Sequence, residues 1–175
     1  QVSGGTSASG NYLAGRHAQS VSDMSKATMY LGNALELTPG SQSLLQRTFL
    51  MMAREGRIGE AVPLAHKVLA QNPNATIADL TVIIGNIHAN HFGVAMKQIA
   101  ALPASSLNSY MVPLLAAWTS MAQGETVEDA MSHLSPLKKD GSKPLYYLHK
   151  AILLDFKGDQ EAAVKAYLQE IKEQG

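Results

Sequence analysis

The stretch ATMYLGNALELTPGS, residues 27–41, reads at first as one amphipathic helix running into a turn. Ala27, Leu31, Ala34 and Leu35 recur at helical spacing. Pro39, which has no backbone N–H, discourages any continuation. A second stretch, EAVPLAHKVLAQNPN at 60–74, repeats the arrangement: Ala61 answers Ala27 and Pro73 answers Pro39, each 34 residues later. In the same frame Gly56, Asn90, Gly124 and Gly158 fall at successive steps of 34, the last two opening GETVEDA and GDQEAA. A fixed period of this length marks stacked helical hairpins rather than helices gathered around one closed centre.

One unit of the beat is two antiparallel helices. Leu44, Leu45, Phe49 and Met52 form the apolar stripe of a first helix. Gly56 ends it by taking the left-handed conformation that closes a helix cheaply. In the second helix Ala61 is small enough to let neighbouring backbones approach, Val68 and Leu69 form the buried face, and Pro73 resets the chain. Thr76, with Asp79 three residues on, predicts a capping pair that opens the next first helix.

These features resemble the tetratricopeptide repeat family, its alphaproteobacterial members in particular. That family places small residues in the first helix, a Gly-Asp-like turn, Ala early in the second helix and Pro near its end. Repeat one matches through Ala14, Gly15, Ala27, Leu31, Ala34 and Pro39; repeat two through Gly56, Ala61 and Pro73; repeat five through Ala151, Gly158, Asp159, Ala163 and Tyr167. Repeat three keeps Phe92, Ala95, Ile99 and Leu102 with Asn90 in place of Gly, and repeat four needs one extra residue between Gly124 and Ala130. The resemblance implies an all-α, right-handed superhelical solenoid of about five antiparallel helix pairs. The units fall at about 8–41, 42–75, 76–109, 110–143 and 144–175, after a flexible Gly/Ser-rich lead-in over 1–7.

Composition narrows the function. Fourteen Lys plus Arg balance fourteen Asp plus Glu, which removes the basic excess that nucleic-acid binding requires. Apolar runs are interrupted well before the roughly 20 residues that cross a bilayer. Cysteine is absent, excluding disulfides, thiolate metal sites and a cysteine nucleophile, and leaving cytoplasm and bacterial periplasm both open. The chain begins with Gln1 rather than Met, so a processed product or a piece of a longer array is expected.

Function in such a scaffold lives on the inner face, lined by first helices. In repeats one and two the lining is polar and slightly basic: Ser9, Tyr12, Arg16 and Gln19, then Ser43, Gln46, Leu50 and Ala53 with Arg47 and Arg54 beside them. In repeat three it turns apolar, through Ile77, Leu80, Ile84 and Ile87. Repeat four continues with Met111, Leu114, Trp118 and Met121, and repeat five with Leu145, Leu148 and Ile152. Exposed apolar runs of this extent mark an interface. The expected ligand is a partner protein's amphipathic helix or apolar extended segment, and Arg16 and Arg47 suit an acidic partner. Two alternatives stand beside it: the same side chains pack into the core, or the rest of a longer array or a second copy covers them.

Catalytic chemistry is not expected. His88 and His91 form the only close histidine pair and lack the further ligands zinc needs. His17, His66, His133 and His149 are isolated. Glu125, Glu128 and Asp129 cluster at a helix start, where acidic groups meet the positive end of the helix dipole. The sequence therefore predicts a non-enzymatic, cofactor-free protein-binding scaffold, with a self-assembling structural unit as the alternative.

Overall fold

In a computed structural model the chain is all-α, and the structure describes residues 7–103, 107–139 and 141–174. The helices are α1 (Ala8–Ser20), α2 (Met24–Leu37), α3 (Gln42–Arg54), α4 (Ile58–Gln71) and α5 (Thr76–His88). They continue with α6 (Phe92–Ala101), α7 (Asn108–Ala122), α8 (Val127–His133), a 3-10 turn (Ser135–Lys138), α9 (Lys143–Lys157) and α10 (Gln160–Gln174). There is no strand among the described residues. Of the expected lead-in, residues 1–6 lie outside the described residues; Ser7 caps α1, its Oγ accepting from the Gly10 N–H at 3.1 Å.

The 34-residue beat is written in the backbone. Gly56, Gly124 and Gly158 have φ of 70°, 87° and 86°. Asn90, the non-glycine member of the series, is left-handed too, with φ 61°. One step earlier Ser22 has φ 59°, adding a fifth member that the sequence does not advertise. Each stands between two helices, and at Ser22, Gly56, Gly124 and Gly158 the left-handed residue turns the chain so that the second helix packs along the first.

A second series lies just beyond the hinges. Ala27, Ala61, Ala95 and Ala130 are wholly buried, and Ala163 is nearly so. A side chain this small permits the close backbone approach on which a hairpin depends. The expected extra residue of unit four sits in the turn: α8 starts three residues after Gly124, whereas α4, α6 and α10 start two after their hinge residues. The longer turn carries a capping box, in which Thr126 Oγ1 accepts from the Asp129 N–H at 3.1 Å and the Asp129 carboxylate accepts from the Thr126 N–H at 3.2 Å. Of the acidic cluster, Asp129 caps α8 as its position implies, whereas Glu125 accepts from the Ser120 hydroxyl and Glu128 pairs with Lys157 of α9. Thr76 and Asp79 behave differently. Thr76 is the first residue of α5, no hydrogen bond joins the two side chains, and the Asp79 N–H donates to the Ala75 carbonyl. Ala75 precedes the helix where a side-chain acceptor would be needed, so the expected pair cannot form.

The chain divides into two compact units, Gln1–Gly85 and Asn86–Gly175. In the first, α1 pairs with α2, α3 with α4, and α2 also packs on α3. Leu31, Leu45, Phe49, Ala61, Ala65 and Val68 form its core, and the Thr48 hydroxyl donates to the Leu31 carbonyl at 3.4 Å. Gly15 admits Leu31: a β-carbon there would lie 2.9 Å from Leu31 Cγ. In the second unit α6 packs on α7, α7 pairs with α8, α8 touches α9, and α9 pairs with α10. Its core holds Ala117, Ala130, Leu134, Leu137, Tyr146 and Leu153, with a satellite of Ala151, Leu154, Ala163 and Ala166.

Candidate functional site

In the first unit the structure gathers Tyr12, Arg16 and Arg47. One turn of α1 separates Tyr12 from Arg16, whose Nη1 donates to the Tyr12 hydroxyl at 3.4 Å. From α3, the Arg47 guanidinium lies 5.9 Å from the Tyr12 ring centroid, within cation–π reach. The hydrogen bond from Arg16, then the charge of Arg47, lower the Tyr12 phenol below its ordinary value. Neither arginine has a carboxylate partner among the described residues. Tyr12 and Arg47 line a recess of about 480 Å³ between α1 and α3, together with the hydroxyl residues Ser9, Thr38, Ser41 and Ser43. Ser41 caps α3, so the positive end of that helix faces the same recess. On α5, Ile77 is half exposed, Ile84 is half-buried and Leu80 is buried in packing.

In the second unit, Ile87 at the end of α5 is half-buried. Along α7, Met111, Leu114, Trp118 and Met121 are half-buried, as are Leu148 and Ile152 on α9. Leu114, Trp118 and Met121 pack one side against the core and leave the other open. Trp118 is fixed in place: its indole Nε1–H donates to His149 Nδ1 at 3.0 Å, the rings meeting edge-on at 69° with centroids 6.0 Å apart. An imidazole nitrogen accepts only when it carries no proton, so this bond belongs to neutral His149 with its hydrogen on Nε2. Burial independently lowers the His149 pKa below the ordinary imidazole value. His149 looks isolated in the sequence because its partner is 31 residues away on another helix.

No family model and no curated protein sequence matches the chain. Solved structures do. MamA 41-end from Desulfovibrio magneticus RS-1 superposes with a TM-score of 0.68 at 16% identity, over 98% of this chain and 97% of that one. A tetratricopeptide repeat protein from Parabacteroides merdae ATCC 43184 superposes with a TM-score of 0.63 at 14% identity, over 97% of this chain and 68% of that one. The fold is the tetratricopeptide-repeat fold. At these identities the likeness reaches the backbone alone, so the partner-facing chemistry is this chain's own.

Within the tetratricopeptide fold all the candidate site residues lie on first helices: Tyr12 and Arg16 on α1, Arg47 on α3, the isoleucines and Leu80 on α5, the Met111–Met121 set on α7, and Leu148 and Ile152 on α9. Among the described residues no helix is long and apolar enough to cross a membrane.

Proposed function

We propose that the chain is a non-enzymatic scaffold whose first-helix faces hold a segment of a partner protein, an amphipathic helix being the best fit. The observation that carries this reading is the state of Trp118. It is half-buried, held by His149, and flanked by Leu114 and Met121, whose outer surfaces are also open. A pre-positioned aromatic ring amid adaptable Met and Leu side chains is the composition from which binding hot spots are built. Fully burying side chains of this size is worth about 1.5–3 kcal/mol each, and these, already half-buried, gain the remaining part when a partner covers them.

The first unit supports the same reading with a different chemistry. Arg16 and Arg47, beside the hydroxyl-lined recess, fit acidic side chains of a partner through charge-assisted hydrogen bonds. The array thus offers apolar grip on α7 and α9 and acidic-group recognition on α1 and α3.

Isothermal titration with amphipathic helical peptides bearing an acidic flank tests the proposal. Trp118→Ala weakens the binding of the best peptide about tenfold or more, the equivalent of about 1.4 kcal/mol. Unchanged affinity in that variant, or failure of every such peptide to saturate the protein, contradicts the reading.

A further inference from the structure

Arg47 is half-buried on α3, yet among the described residues its guanidinium donates no hydrogen bond and meets no carboxylate. It rests over the Tyr12 ring, 5.9 Å from the centroid. A charged group taken partly out of water normally recovers its hydration through carboxylates or carbonyls. Here the planar fork of donors is held in place and left unspent.

The recess beside it is built from further donors. No Asp or Glu stands on its lining of about 480 Å³, whereas Ser9, Tyr12 and Ser43 do. The Tyr12 oxygen accepts from Arg16 Nη1 at 3.4 Å, so the phenol's own hydrogen is left to donate. Ser9 has no hydrogen-bond partner among the described residues. Thr38 is committed, its hydroxyl donating to the Ala34 carbonyl at 2.7 Å. The walls are α1, α3 and the turn before α3, all within the first compact unit, so the site needs no free end of the array.

The donors outnumber what a carboxylate can use. A carboxylate offers two oxygens and one charge, whereas a phosphate monoester near neutral pH carries about 1.5–2 negative charges on three oxygens. Two guanidiniums flank the one phenol, which matches the larger charge. The planar fork of an arginine also fits two oxygens of a phosphate side by side.

We infer that this recess binds a phosphoryl group, the phosphate monoester of a phosphorylated serine or threonine in the partner segment. Arg47 takes two of its oxygens, Tyr12 and the neighbouring serines donate to the third, and Arg16, bonded to the phenol, balances the remaining charge. The inference rests on the scaffold reading for the carrier of the phosphate, and narrows the acidic group recognised by α1 and α3 to one kind.

Nuclear magnetic resonance titration of the isotope-labelled whole chain tests it with three probes. They are a short unstructured peptide bearing one phosphoserine, the same peptide with glutamate in that place, and inorganic phosphate. The phosphopeptide shifts the Arg47 Nε–H and the Ser9 and Ser43 amide signals, saturates, and binds about tenfold or more tighter than the glutamate peptide. Inorganic phosphate shifts the same signals with lower affinity. Arg47→Gln abolishes the preference for phosphoserine over glutamate. Tyr12→Phe, which keeps the ring under Arg47 and loses only the hydroxyl, reduces it, and melting curves show whether each variant is folded. Equal affinity for the two peptides in the wild type, or shifts that avoid Arg47, overturns the inference. Free phosphate binding as tightly as the phosphopeptide overturns the assignment to a partner segment. The probes carry no amphipathic helix, so a phosphoserine preference without any helical-peptide binding counts against the apolar grip alone. Helical-peptide binding without that preference counts against this inference alone.

Discussion

Holding a residue in the left-handed region costs a side chain with a β-carbon about 1–2 kcal/mol, and five residues in this chain are held there at steps of 34. Three are glycines, which reach it freely. Gly158→Ala therefore lowers unfolding stability by about 1–2 kcal/mol. Ser22→Gly, at φ 59°, raises it by about 1 kcal/mol, and Asn90→Gly by less, since Asn tolerates the conformation better. Urea unfolding checks the signs, and a destabilising Ser22→Gly would contradict the hinge assignment. The glycine hinges were legible in the sequence because composition and period agree. Asn90 was legible only through the period, and Ser22 through neither, because serine carries no left-handed signal. His149 gives a second prediction at this scale. Its folded pKa lies below its unfolded value of about 6.5, so below that pH the unfolded state binds more protons and stability falls with pH. The loss begins near pH 6.5 and is complete once pH has dropped below the depressed folded value. Melting temperature followed from pH 8 to 5 shows this slope, and His149→Phe flattens it. The emission of Trp118, the only tryptophan, shifts only at the lower end of that interval, as pH passes through the depressed folded value and the hydrogen bond to His149 is lost.

At the scale of the element, the apolar stripes were readable because helical spacing and burial coincide. Leu44, Leu45, Phe49 and Met52 all lie in the core, as their spacing predicts. Helix starts were less readable, because a Thr-x-x-Asp pattern caps only when the Thr itself stands outside the helix. Thr126 does, and closes a capping box with Asp129; Thr76 is already the first helical residue of α5, and closes none. Thr126→Ala therefore costs about 1 kcal/mol, while Thr76→Ala changes stability by no more than about 0.5 kcal/mol. Thermal unfolding of the two variants side by side checks the difference. Leu31 is the clearest case of packing: it has no exposed surface and fills the space that Gly15 leaves. Leu31→Ala costs about 2–5 kcal/mol, read from the denaturation midpoint.

For the whole molecule, the repeating hairpin was legible because it is a property of period. What its faces do is not periodic. Every candidate lining residue falls on a first helix, yet burial separates them: Leu80 is core, Ile77 is half exposed, and Trp118 is shared between core and surface. A sequence template assigns a residue to a face but cannot weigh how deeply a neighbouring helix sinks against it, and this is why the Trp118–His149 pair became visible only in three dimensions. The beat of 34 residues remains the foundation, since the scaffold and its lining are consequences of it. Backbone chemical shifts and three-bond HN–Hα couplings at Ser22, Gly56, Asn90, Gly124 and Gly158 measure it directly. Positive φ at all five, each between two helical segments, is the expected result; negative φ at Ser22 and Asn90, with helix running unbroken through them, would contradict the account.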